Sequence, residues 1–303
     1  KSELASVRER GTTNAEAYAL LLQANGAAKR LTLQSYQTSD TLLREAIALD
    51  PDYANAYMLR SHVLCNLFKY ERNDQHLNEA LRCAQKALTL KPDFPKAKSA
   101  LATVHQLLGD HVTAESLLIE ATADDPDDYY SYYALGQLYS KLQRLESSID
   151  AYTRSVELKP DFLGAHWGRV ISSINLGDNA RAEQLALEAL PRYERALRIT
   201  PSREGPKMSY AALLEIANKP QKSRAVMEEL LTDPQLDPQT LYTATCLYSR
   251  LGETEKALDT LARSIERGFY DFALLQRDTD LDPLRGEERF HQLLQQLEQK
   301  QHV

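Results

Sequence analysis

The chain is short of the residues that build most catalytic sites and most sheets. Its three cysteines, Cys65, Cys83 and Cys246, stand far apart and make no CxxC pair. An odd, widely spaced set gives no disulfide framework, so they read as small apolar residues, which favours a reducing compartment without excluding an oxidising one. Only eleven glycines occur, and alternating β-branched runs are scarce, which leaves little material for strands or hairpins. No apolar run nears the ~20 residues of a membrane-spanning helix. Lysines and arginines are scattered, none in a run of five, and the net charge is −7. That balance disfavours nucleic acid, because phosphate binding needs a basic stripe. There is no HExxH, no Cys/His ligand spacing, no GxSxG, no GxGxxG and no phosphate-cradling glycine loop. We therefore expect no metal, no cofactor and no enzymatic activity in this chain.

What the sequence does have is a period. Pro92, Pro126 and Pro160 stand 34 residues apart, and each interval holds two helix-length segments. In the second interval Tyr132, Leu135, Gly136 and Tyr139 form one i, i+3, i+4, i+7 stripe. After a polar break, Leu145, Ile149, Tyr152 and Val156 form another. A helix pair repeated at this period cannot bury its apolar face alone and must stack on its neighbours. A solenoid grows by adding units, so the two domains that length alone suggests are not required.

These residues resemble the tetratricopeptide repeat. Tyr132, Leu135, Gly136, Tyr139, Ser148, Tyr152, Ser155 and Pro160 fall on its eight characteristic positions, with serines where alanine is usual. The neighbouring copy matches at Leu101, Ala102, Gly109, Ala114, Leu118, Ala121 and Pro126. The resemblance implies an all-α, right-handed superhelix (an α-solenoid) of about seven helix pairs with a C-terminal capping helix. The whole chain, 1–303, is then a single solenoid: a lead-in at 1–13 with a short helix over 2–10, helix pairs over 14–269, and a cap over 270–303. Asn14 is the expected cap of the first pair. Phe290, Leu293, Leu294 and Leu297 form the last amphipathic helix. The opening GTTNAEAYALLLQANGAAKR and the ending RGFYDFALLQRDTDLDPLRGEERFHQLLQQLE are similar to bacterial tetratricopeptide domains that follow winged-helix activators, nucleotide cyclases or Ser/Thr kinases. That likeness implies the periplasmic side of a single-pass membrane protein, with the cytoplasm as the alternative. A start at Lys1 with no methionine or signal-like stretch leads us to expect a fragment or processed product.

Proline spacing also predicts helix lengths. Pro51 to Pro92 and Pro160 to Pro201 are 41 residues each, seven more than the period. Seven residues are close to two helical turns and preserve phase, so both long units should contain helices about two turns longer. The excess falls near LFKYERNDQHLNE in one and near Pro191 in the other, where the helix should kink or restart. Small residues recur where helices must approach, with Ala80, Ala114, Ala182 and Ala257 at one position and Ala46, Ala87, Ala121 and Ala189 at another. The sixth unit is degenerate, with Asn218-Lys219-Pro220 where Leu-Gly is expected.

By resemblance, the first helix of each pair lines a concave groove. The positions carried over are Asn55, Met58, His62 and Cys65 in the second unit, and Lys96, Ser99, Thr103 and Gln106 in the third. The fourth gives Tyr130, Tyr133, Gln137 and Ser140, the fifth Gly164, Trp167, Ile171 and Ile174, and the seventh Gln239, Tyr242, Cys246 and Ser249. Chaperone-binding relatives hold a terminal carboxylate with a Lys/Asn clamp. Here only Lys96 and Asn55 suggest one, and the remainder is missing. The aromatic and aliphatic strip of Tyr130, Tyr133, Trp167, Ile171 and Ile174, with Gln137 beside it, suits the apolar face of a peptide. Inter-repeat packing is the competing reading for Tyr130, Tyr133 and Trp167. Pro160 and Gly177 set a register that puts His166, not Trp167, at the buried aromatic position.

The expected partner is thus a protein or peptide, with no nucleic acid or membrane contact by this chain. The oligomeric state is not legible. A ligand-sensing domain regulating a larger signalling or transcription-regulating membrane protein is the alternative. Asp278, Asp280 and Asp282 invite a calcium loop, but Pro283 and Arg289 stand where that loop needs Gly and Glu, so turn formation and capping are expected. Asp124, Asp125, Asp127 and Asp128 should likewise favour a helix N-terminus.

Overall fold

The computed structural model describes residues 10–30, 32–200, 204–269 and 272–301. The lead-in helix expected over 2–10 lies, save for its last residue, outside the described residues, as does the boundary residue Pro201. All regular structure among the described residues is helical, as the sequence predicts. The chain divides into two compact units, residues 1–178 and 179–303.

The first unit holds α1 (Ala15–Ala28), α2 (Leu33–Leu49), α3 (Ala54–Glu71), α4 (Asp74–Leu90), α5 (Pro95–Leu108), α6 (His111–Asp124), α7 (Tyr129–Lys141), α8 (Leu145–Leu158) and α9 (Leu163–Asn175). Consecutive helices pack on each other, and α1, α3, α5, α7 and α9 also pack first helix on first helix. The boundaries are set locally. The Asn14 side chain accepts from the amides of Glu16 and Ala17, as expected of the cap, and Asp110 and Asp128 cap α6 and α7 in the same manner. Asp50, Lys91, Asp125 and Lys159 each precede a proline and take ψ of 81 to 91°, outside the helical region, as the following pyrrolidine ring demands. Within pairs, Arg72, Gly109, Gln143 and Gly177 have φ of 53, 85, 57 and 83°, the left-handed conformation that reverses the chain.

The small residues expected at the close approaches are buried. Ala46, Ala80, Ala87, Ala114 and Ala121 have no exposed surface. Ser148, which replaces the usual alanine, donates from its buried hydroxyl to the Gly136 carbonyl at 2.8 Å, across the α7–α8 pair. Ser39 does the same to Ala24 at 3.0 Å across α1–α2.

The seven additional residues of the first long unit do not lengthen one helix by two turns. They are divided between α3, with 18 residues, and α4, with 17, against 13 or 14 in α5 to α8. About one turn is added to each partner, so the two stay paired along their length, and Leu67 and Leu77 are buried on the added turns.

The second unit holds α10 (Asn179–Ile199), α11 (Glu204–Ile216), α12 (Pro220–Leu231), α13 (Pro238–Arg250), α14 (Thr254–Glu266), α15 (Phe272–Arg277), a 3-10 helix (Thr279–Leu284) and α16 (Glu288–Gln301). Here the whole excess is in one helix, α10, with 21 residues. It does not restart at Pro191 but runs through it. Pro191 and Leu187, whose carbonyl loses its amide donor, both lie on the exposed side, where water can satisfy that oxygen. The degenerate sixth unit keeps its turn because Asn218 takes φ of 54° in place of glycine. Ser223 repeats the serine bond, donating to the Ala211 carbonyl at 2.8 Å. In α16, Phe290, Leu293 and Leu297 are buried, as the apolar spacing predicts.

Candidate binding groove

In the first unit, the first helices of four successive repeats surround a cavity of about 600 Å³. α1 contributes Leu21 and Asn25; α3 contributes Asn55, Met58, Leu59 and His62. Lys91, Phe94, Pro95 and Lys96 come from the start of α5 and the turn before it; Asp125, Asp128, Tyr129 and Tyr130 come from the start of α7 and its turn. Five residues carried over from the sequence, Asn55, Met58, His62, Lys96 and Tyr130, thus meet at one cavity.

The wall is aromatic and mostly uncharged. His62 meets the Tyr130 ring edge-on at 5.1 Å between centroids, and Tyr133 follows at 5.8 Å. Gln137 Nε2 donates to the Tyr133 hydroxyl at 3.0 Å. Burial, with a smaller contribution from the Lys69 charge, pushes the His62 imidazole down to about 4, so it is neutral at pH 7. Burial also raises the Tyr130 and Tyr133 phenols, which remain protonated donors. The two carboxylates at the rim serve the fold, as expected. Asp128 accepts from the Ser131 amide and hydroxyl, and Asp125 accepts from the Asp127 amide. Lys91 lies over the Phe94 ring at 4.8 Å.

Other carried-over positions lie elsewhere. Cys65 and Ser99 are buried between first helices, and Ser99 shares a 2.7 Å hydrogen bond with Ser131 of the next repeat. Tyr133 packs edge-on against Phe162 at 4.9 Å and near Tyr152 at 5.7 Å, so it fastens α7 to the following repeat, and it does not line the cavity. Trp167, Ile171 and Ile174 are half-buried on one stripe of α9 and do not line the cavity. His166, by contrast, is 2% exposed, its Nε2 donating to the Pro160 carbonyl at 2.8 Å.

In the second unit three of the four carried-over groove positions are covered and only Gln239 stays exposed, which corrects the expectation of an open face there. Tyr242, Cys246 and Ser249 are all buried. Tyr242 stacks on Phe269 at 4.5 Å and donates to Asp278 at 2.5 Å. Arg250 bridges Glu215 and Asp280. The tail thus lies on the face of α13 that the motif would leave free. Ligand atoms of Cys246, Asp278 and Asp280 lie within 4.8 Å of one another. Their oxygens are already engaged, since Asp278 also accepts from the Asp280 amide and caps the 3-10 helix.

Residues missed from the sequence include Asn25 on α1, Lys91 and Phe94 in the turn before α5, and Tyr129 at the start of α7. The boundary prolines mark those turns, and that was the available signal.

Residues 129–162, which span α7, α8 and the turn after them, match the family model described as tetratricopeptide repeat. Among curated proteins, the chain is similar to human Protein O-mannosyl-transferase TMTC1, 25% identical over 202 residues that cover 65% of this chain and 22% of that protein. It is also similar to the Peroxisomal targeting signal receptor of Eremothecium gossypii, 36% identical over 74 residues that cover 24% of this chain and 13% of that protein. The chain therefore spans well under half the length of either relative. Among solved structures, human IFIT1, determined as a dimer with PPP-AAAA, aligns over 88% of this chain and 65% of its own at a TM-score of 0.63 and 16% identity. That likeness is one of fold.

Proposed function

We propose that this chain, a tetratricopeptide-repeat protein, is a protein-interaction scaffold that takes a partner peptide along the first helices of its first unit. The observation that carries the reading is the cavity of about 600 Å³ walled by four successive first helices, where Asn55, Lys96 and Tyr130 converge. Its volume suits a few side chains of an extended or helical segment, and its aromatic wall suits apolar anchors. Tyr133 and Gln137 continue the wall from Tyr130, and Trp167, Ile171 and Ile174 extend an apolar strip along α9 for the remainder of the partner. The likeness to a protein named as a targeting signal receptor supports peptide recognition, and the reading assigns the chain no catalytic step.

Selection of a random peptide library on the purified chain tests this. Met58→Arg and Lys96→Glu should each weaken selected peptides by roughly tenfold or more, and Lys96→Glu should shift stability by only about 0.5 kcal/mol or less. Peptides that bind both variants as they bind the parent would place the interaction surface elsewhere. Trp167 provides a second readout as the single tryptophan, with a blue shift on binding if the peptide reaches α9.

A further inference from the structure

The strap that leads into α1, Arg10–Thr12, is pinned to the lip of the cavity. Tyr53 Oη donates to the Arg10 carbonyl at 3.0 Å. Asn55 Nδ2, from the cavity wall, donates to the same oxygen at 3.3 Å. Gly11 lies against that amide, since a β-carbon there would stand 2.7 Å from Asn55 Nδ2, and its φ of 72° also suits glycine. A polar group that lines the cavity is thus already engaged by the protein's own main chain.

The strap has a firm end and a loose end. Thr12 is buried, donates to Asp50 and accepts from the Asn14 amide at 3.0 Å. Asn14 Nδ2 donates to the Leu49 carbonyl at 3.2 Å. These bonds fasten the start of α1 to the end of α2 through residues that do not line the cavity. Arg10 and Gly11 are exposed, and the Arg10 guanidinium rests over the Tyr18 ring at 5.4 Å. Both bonds to the loose end converge on one oxygen, so rotation of the single peptide plane between Arg10 and Gly11 breaks them together. A carboxamide released in this way can donate to and accept from the main chain of another peptide.

We propose that the strap is an autoinhibitory latch. Arg10 and Gly11 compete with the main chain of the partner peptide for Asn55, and the partner opens the latch as it binds. The proposal rests on the groove reading above and adds its regulation: apparent affinity scales with the fraction of molecules whose latch is open.

The latched carbonyl is also the scissile carbonyl of a trypsin site, because Arg10 precedes Gly11. Limited trypsin digestion of the whole chain, with the new N-terminus at Gly11 quantified by mass spectrometry, therefore reads the latch. A saturating peptide from the library selection above should speed that cleavage several-fold, whereas a ligand that merely stabilises the fold slows cleavage. Tyr53→Phe removes one hold on the latch, and Gly11→Ala disturbs the other by pressing on the Asn55 amide. Each variant should bind the peptide about threefold to tenfold more tightly and be cut faster without it. Cleavage that the peptide slows or leaves unchanged would overturn the latch, while weaker binding by Met58→Arg would still uphold the groove. Parent-like affinity in both latch variants would overturn it as well. If no peptide is retained, or if Met58→Arg and Lys96→Glu bind as the parent does, the groove reading falls and the latch with it.

Discussion

A β-carbon on Gly136 would stand 2.6 Å from the ring of Tyr152. Gly168, on the next first helix, presses on the same ring, so Tyr152 of α8 is wedged between α7 and α9. Gly136→Ala and Gly168→Ala should each destabilise the protein by about 1–3 kcal/mol through overpacking. Urea titration measures this, and the cost should shrink when Tyr152→Leu is added, because the clash and its partner are coupled. Gly26, exposed in α1 with nothing near it, is the opposite case. There Gly26→Ala should stabilise by about 0.5–1 kcal/mol, by helix propensity alone.

The turns inside pairs provide a second experiment. Gln143 occupies the left-handed region at φ 57°, a conformation that costs a residue with a side chain about 1–2 kcal/mol. Glycine's greater freedom in the unfolded chain cancels part of the benefit, so Gln143→Gly should gain about 0.5–1 kcal/mol. Gly109→Ala, at φ 85°, should lose about 1 kcal/mol. Thermal melting of the two variants should move in opposite directions.

Arg60 joins α3 to its neighbours on both sides. It pairs with Asp40 of α2 at 2.8 Å and Glu79 of α4 at 2.9 Å, and its side chain is 14% exposed. Arg60→Met would leave the nearly buried Asp40 with only the exposed Arg44 as counter-charge, at 2.9 Å, a loss of about 1–3 kcal/mol. Removing the exposed Arg154–Glu157 pair should change stability by about 0.5 kcal/mol or less.

Acid should weaken the first unit in two stages. His62 has a folded pKa of about 4 against 6.5 in an ordinary peptide, so the unfolded chain binds its proton first. Stability should therefore fall as pH drops from 6.5 towards 4. Glu71 is lowered by hydrogen bonds from His76 and Gln37, and its contribution is lost below the usual carboxylate range. Urea midpoints across this range should show the upper stage flattened in His62→Asn. If the upper stage persists in that variant, its origin is not His62.

Much of this arrangement is written in the sequence because it is local. Prolines stop helices through sterics with the preceding residue, and alanines mark close approach, so boundaries and pairing were legible. That Asn55, Lys96 and Tyr130 share one face was legible for the same reason, since a 3.6-residue period tells which face a side chain is on, and all three line the cavity. Periodicity does not tell what covers that face. Tyr242 and Cys246 carry the groove pattern yet lie beneath a tail some thirty residues further on, held by Phe269 and Asp278. Nor does it divide an insertion. Seven residues preserve phase equally well as two turns in α10 or as one turn each in α3 and α4.

The serine bonds have a mechanical consequence. A seam of alanines is smooth, and one helix can creep along its mate with little change in dispersion energy. The hydroxyls of Ser39, Ser148 and Ser223 each reach a single carbonyl on the facing helix, so the pairs they join are notched. Sliding by one residue, about 1.5 Å, breaks a bond with a net contribution of about 1 kcal/mol. Under axial load these three pairs should resist shear more stiffly than the alanine-seamed α5–α6 pair, and should yield in discrete steps rather than by gradual slip.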